Sequence, residues 1–145
     1  MYDELFQSLF QIVTFFNRPK QDKVLLKKAD IELDTALLPI VVRVGMQKKL
    51  GVVELADQLG RDHSTVSRQV DKLQATGLVV TDVAKSDRRV REIRLSDEGR
   101  TVLVRLTKSR RVLMREALQG WSDTELDALS DSLDHLATSL QHLSF

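Results

Sequence analysis

The chain contains no cysteine. Disulfides, thiolate metal sites, a cysteine nucleophile and thiol redox sensing are therefore excluded, and a reducing compartment fits. No apolar run approaches the length of a bilayer. The longest, Ala36 to Val42, is interrupted by Pro39. The N-terminus, Met1-Tyr2-Asp3-Glu4, is acidic and lacks a basic leading region, so no secretory signal is expected and the expected location is cytoplasmic. There is no glycine-rich phosphate loop and no H-E-x-x-H pattern. The three histidines, His63, His135 and His142, are too scattered for a metal-site signature. His135 and His142 are seven apart, on one face of a helix, where a solvated or packed histidine is the ordinary outcome. Nothing places serine, histidine and aspartate together. No enzymatic activity, cofactor or metal is expected.

At 145 residues, 42% hydrophobic and 30% charged, the chain fits one folded domain, or a compact domain with oligomerising helices. The net charge of +1 conceals an asymmetry. Residues 1–115 hold all 22 Lys and Arg against 15 Asp and Glu, or +7, while residues 116–145 hold 6 acids and no Lys or Arg, or −6. A basic body suits a polyanionic partner. The acidic tail also reads simply as a helix with a solvated face.

The most informative stretch is Arg61 to Leu73. Val66, Val70 and Leu73 recur at i, i+4, i+7, one buried stripe of a helix. Asp62 is placed to cap it. The other face carries His63, Ser64, Thr65, Ser67, Arg68, Gln69 and Lys72. Arg suits guanine, Gln suits adenine, and Ser or Thr suits either base edges or phosphate oxygens. A polar helix face is usually only solvated, so the neighbouring segments carry the case.

Residues 3–17 read as an amphipathic helix. Leu5, Leu9, Ile12 and Phe16 form one stripe, with Phe6, Phe10 and Val13 beside it. So wide an apolar face asks for more partner surface than one small domain offers. Four of the five phenylalanines lie here (Phe6, Phe10, Phe15 and Phe16), a pattern more typical of core or interface than of a ligand pocket. Asn17-Arg18-Pro19 breaks the helix, and a short helix is expected over 20–29. Asp34 is expected to cap a helix reaching about Met46. Pro39 implies a kink or a late start near Leu38, and Lys48 and Lys49 are expected to close the helix. Gly51 to Gly60 holds a short helix with Val53, Leu55, Ala56 and Leu59 inside. A short helix, a glycine turn and a second helix with a polar outer face form the helix-turn-helix layout. Gly77 suits the left-handed residue that ends the second helix.

Two strands are expected next, over 78–83 and 90–95. In the second, Val90, Glu92 and Arg94 share one face and Arg91, Ile93 and Leu95 the other. A hairpin after a helix-turn-helix is a wing. Its tip holds Lys85, Arg88 and Arg89, and arginine suits a narrow minor groove. Asp87 is placed to hold a guanidinium by a charge-assisted bond. Ser96 caps a strongly basic helix to about Leu118, and Gly120-Trp121 breaks it. Ser122-Asp123-Thr124-Glu125 is a capping box. Leu126, Leu129, Leu133, Leu136, Leu140 and Leu143 then follow at alternating spacings of three and four, a coiled-coil-like seam that needs a helical partner. The N-terminal helix, from this chain or a second copy, is the obvious one.

These motifs in this order resemble the MarR family of transcriptional regulators. The residues that carry the resemblance are Asp62-His63-Ser64-Thr65-Val66-Ser67-Arg68, Gln74-Ala75-Thr76-Gly77-Leu78, Asp87-Arg88-Arg89 and Leu95-Ser96-Asp97-Glu98-Gly99. It is closest from about Leu50 to Gly99. The resemblance implies a mainly α fold with a small β-hairpin wing: a winged helix-turn-helix with N- and C-terminal dimerisation helices. It implies a homodimer, with Leu5, Leu9, Ile12, Phe16 and the leucine seam from Leu126 to Leu143 at its interface. It also implies double-stranded DNA as partner, a pseudo-palindromic operator, and a repressor released by a small, often phenolic, effector. By the same resemblance Arg89 is the minor-groove residue, held by Asp87. Two features depart from the pattern. His63 stands where the family often has arginine, and the absence of cysteine rules out the oxidation-sensing branch.

The domain expectation is a dimerisation segment over 1–33, the winged domain over 34–96 and dimerisation helices over 97–145. Two other readings stay open at this point. One is a winged helix used for protein contact, for which the basic wing tip is unnecessary. The other is an architectural protein that binds DNA without regard to sequence.

Overall fold

The computed structural model describes residues 1–143. Among these it has seven α-helices and three short strands. The helices are α1 (Tyr2–Phe16), α2 (Pro19–Lys28), α3 (Leu38–Met46), α4 (Val52–Leu59), α5 (His63–Ala75), α6 (Asp97–Ala117) and α7 (Asp123–Gln141). The strands are β1 (Leu50–Gly51), β2 (Val79–Val83) and β3 (Arg91–Leu95). The fold is thus mostly helical, with a small antiparallel sheet of order β1-β3-β2.

The chain divides into two compact units, residues 1–110 and 111–145. In the first, α3, α4 and α5 enclose an aliphatic core with the sheet. Ile40 and Val41 of α3, Leu55 and Ala56 of α4, and Val66, Val70 and Leu73 of α5 have no exposed surface. Ile93 of β3 and Leu106 of α6 complete this core. Burying each of these larger side chains contributes about 1.5–3 kcal/mol. No polar or charged side chain is buried among the described residues. Helix α5 therefore rests on a purely apolar base. The second unit consists of the end of α6 and α7. Ser122 makes the full capping box there: its hydroxyl accepts from Glu125 N–H at 3.1 Å, and the Glu125 carboxylate accepts from Ser122 N–H at 3.2 Å.

Four details differ from the sequence expectation, each for a local reason. Asp34 does not cap α3, which takes the late start that Pro39 implies, at Leu38, with Pro39 in its first turn, where a missing N–H costs nothing. Asp34 instead stabilises the turn before it, accepting from Ala36 N–H at 3.0 Å. Lys48 and Lys49 do not close α3. Gln47 is already extended, because the chain must turn into β1, and Lys49 reaches Glu92 of β3 at 3.5 Å. Strand β1 was not expected at all, since two residues leave no alternation to read. It pairs Leu50 with Ile93 and Gly51 with Glu92. Finally, Asp62 occupies the N-cap position of α5, but its carboxylate makes no capping hydrogen bond.

Candidate nucleic-acid interface

The turn between α4 and α5 is made by Gly60, whose φ of +64° is costly for any residue with a Cβ. Arg61 follows and locks the turn. One guanidinium nitrogen donates to the Ala36 carbonyl at 2.8 Å and to Gln69 Oε1 at 3.0 Å. Gln69 is thereby turned toward the scaffold through its carbonyl end. The ring of His63, at the start of α5, lies 2.9 Å from Asp57 Oδ1 on α4. The two helices of the motif are thus joined by a polar contact at the exposed end as well as by apolar packing. Ser64, Arg68 and Lys72 are exposed, while Thr65 and Ser67 are half-buried.

The hairpin follows. Strands β2 and β3 pair from Val79 opposite Leu95 to Val83 opposite Arg91. At the tip, Asp87 accepts from the Arg89 backbone N–H at 3.0 Å. It also accepts from the side chain, through Nε at 3.1 Å and Nη2 at 3.2 Å. This two-pronged bond holds Arg89 extended while leaving it 91% exposed. The Arg89 side chain, and then its backbone N–H, hold the Asp87 carboxyl below its ordinary range. Lys85 and Arg88 are exposed beside it. Helix α5 and the hairpin face a common cleft of about 800 Å³, whose lining includes His63, Ser64 and Ser67 on one side and Arg89 and Arg91 on the other. Of the residues singled out from sequence, the cleft brings together His63, Ser64, Ser67 and Arg89, while Thr65, Arg68, Gln69, Lys72, Lys85, Asp87 and Arg88 lie outside its lining.

Two positioning residues were missed in the sequence. Arg61 carries no sequence signal of its own. Arg91 did carry one, because it shares a strand face with the buried Ile93 and Leu95. An arginine on an inward face needs partners, and Arg91 finds them on α5: Asp71 Oδ1 at 2.6 Å, and Ser67 Oγ and Gln74 Oε1 at 3.3 Å each.

The apolar stripes of the terminal helices behave differently from the core. Helices α1 and α7 bury none of their residues. Leu5, Ile12, Phe16, Leu133, Leu140 and Leu143 are exposed, and Leu9, Leu126, Leu129 and Leu136 are half-covered. No group of acids and histidines suited to a metal ion occurs among the described residues. No described helix is long and apolar enough to cross a membrane.

Comparison with known proteins gives the same picture. Residues 40–90, from α3 to the wing, match the sequence model of the MarR family. A MarR family protein from Bacillus stearothermophilus superposes with a TM-score of 0.78 at 19% identity, covering 97% of this chain and 99% of that one. The transcriptional regulator BldR from Sulfolobus solfataricus gives 0.71 at 22% identity, covering 95% and 97%. A MarR family regulator from Listeria monocytogenes, solved in complex with 26mer DNA, gives 0.71 at 18% identity, covering 93% and 87%. The segment from α3 to the wing thus matches the MarR family model in sequence, and over nearly its whole length the chain has the winged helix-turn-helix fold of solved MarR family proteins.

Proposed function

We propose that this protein binds double-stranded DNA as a homodimer and regulates transcription from a pseudo-palindromic operator, most simply as a repressor. The observation that carries the reading is the shared cleft. One wall is the exposed polar start of α5, and the other is a wing whose Arg89 is held outward by Asp87. In this reading α5 enters the major groove. His63, Thr65 and Arg68 read base edges; Ser64, Ser67 and Lys72 grip phosphate. Gln69, whose carbonyl already accepts from Arg61, keeps its amide N–H groups for a base. Arg89 enters the adjacent minor groove, with Arg88 and Lys85 on the backbone. The relative from Listeria, solved in complex with 26mer DNA, supports DNA as the partner.

The dimer is supported by the uncovered apolar faces of α1 and α7, which a second copy of the chain would cover. The terminal segments, over 1–33 and 97–145, serve this purpose, and residues 34–96 serve the DNA. A small effector, phenolic by family resemblance, releases the operator by binding one spacing of the two recognition helices better than another. A thermal-shift screen of aromatic acids, followed by operator affinity with each hit, tests that part.

The deciding experiment is selection of bound duplexes from a random pool at fixed, near-physiological salt. An enriched inverted repeat with half-sites about one helical turn apart is the expected result. Retention without an enriched motif overturns sequence-specific regulation in favour of an architectural role. No retention, even at low salt, points to a winged helix used for protein contact.

A further inference from the structure

The Arg91 guanidinium reaches two turns of the recognition helix at once. Ser67, Asp71 and Gln74 are spaced by four and three residues, so they form one stripe along α5. Arg91 Nη1 donates to Ser67, and Nη2 donates to Asp71 and Gln74. Gln74 Oε1 also accepts from Thr81 Oγ1 on β2, at 3.0 Å. Both strands of the wing are therefore fastened to the same stripe of α5, with Gln74 common to the two. Arg91 stands two residues from Arg89. A planar, five-donor group suits this task, whereas a lysine ammonium satisfies it poorly.

Two consequences follow for a bound duplex. The distance between the helix in the major groove and the arginine in the minor groove is set by the Arg91 bridge. Ser67 Oγ, having accepted from Arg91, keeps its own hydrogen to donate outward. We propose that Arg91 is a positioning residue that fixes the wing to the recognition helix, so that the contacts of Arg89 and of α5 with DNA form as one rigid unit. The proposal rests on the DNA-binding reading above.

The test is a double-mutant cycle on the operator recovered from the random pool, read by fluorescence anisotropy. Arg89→Ala and Arg91→Ala are each expected to weaken binding by about tenfold. The double variant is expected to lie within about twofold of either single one, because a detached wing has no Arg89 contact left to lose. Losses that multiply to about a hundredfold overturn the proposal, since a merely destabilised fold weakens every contact independently. Hydroxyl-radical footprints give a second readout. In Arg91→Ala, protection under the wing is expected to disappear while protection under α5 persists. Uniform loss of both counts against it.

Asp71→Asn, added to Arg91→Ala, separates bridging from charge masking. Full return to wild-type affinity means that Arg91 only neutralised Asp71, and overturns the proposal. Recovery of less than about twofold supports it. Should Arg91→Ala not fold, Arg91→Lys keeps the charge beside Asp71 but cannot span all three acceptors, and the same cycle is run with it. A wild-type protein that retains no duplex refutes the DNA-binding reading itself, before any variant is made.

Discussion

Gly99 lies in the first turn of α6, where that helix crosses the carbonyl of Leu78. A Cβ at this position would fall on Leu78 O, with Leu78 C at 3.1 Å and Leu95 Cβ at 3.3 Å. None of these atoms is the end of a flexible side chain, so the clash cannot be relieved by a change of rotamer. Gly99→Ala must push α6 away from the junction between α5 and β2. That displacement strains the hydrogen bond from Ser96 N–H to Leu78 O, now 3.0 Å. A hydrogen bond of this kind contributes about 0.5–1.5 kcal/mol. Overpacking of a tight site costs about 1–3 kcal/mol. The gain from replacing glycine by alanine in a helix offsets at most about 1 kcal/mol. The net expectation is a loss of about 2 kcal/mol. Urea unfolding at fixed protein concentration reads it as a lower midpoint with unchanged slope. For a slope of about 2 kcal/mol per molar the midpoint falls by about 1 M. A midpoint that stays or rises would refute the close approach of α6 and Leu78, because helix propensity would then be the only effect acting.

Other expectations concern the interface and the last helix. Arg68→Ala should weaken operator binding by about 1–3 kcal/mol and relax preference at one base pair; equal weakening on all sequences would make Arg68 a phosphate contact instead. Asp87→Asn should loosen Arg89 and lower operator affinity with little change in overall stability, measured by anisotropy and urea unfolding in parallel. The Asp87 carboxyl is held low by Arg89, so the pair is intact above the ordinary aspartate range and is lost only as pH falls through the lowered value. An NMR titration of the Asp87 carboxyl carbon should show a midpoint below that of an unperturbed aspartate, and a midpoint at or above it would contradict the clamp. Ser122→Ala removes one arm of the capping box and should cost α7 about 0.5–2 kcal/mol, seen as reduced helicity or a lower melting midpoint.

The winged region was the part most legible from sequence, because its signals are short-range. Val66, Val70 and Leu73 at helical spacing specify the buried side of α5, and all three are fully buried. Asp87 two residues before Arg89 is enough to suggest the clamp that is observed. The capping box at Ser122 is equally local. What escaped notice depends on residues far apart in the chain. Strand β1 exists only because β3 lies beside it. Lys49 serves Glu92 rather than the α3 terminus for the same reason. The Arg61 bridge spans from the α4–α5 turn to Ala36, and the Arg91 bridge from β3 to three points on α5; the strand face marks Arg91 as needing partners, but neither spacing says where the partners lie. Asp62 shows the opposite limit. Its position as N-cap is correct, yet the side-chain bond that motivates the choice of residue is not formed.

The exposed face of α1 bears on the order in which the protein is made. Translation delivers this helix before the winged segment, with Phe6, Phe10 and Phe16 uncovered. The core that follows is assembled from residues between Leu26 and Leu106, and none of it comes from α1. The winged domain can therefore close on the ribosome while its leading fifteen-residue helix is still bare. A chaperone that takes aromatic side chains would meet this segment before the winged core. On the dimer reading, the nascent chain stays sticky along α1 until a second finished copy arrives. Two messages translated close together, or two ribosomes on one message, would shorten that interval.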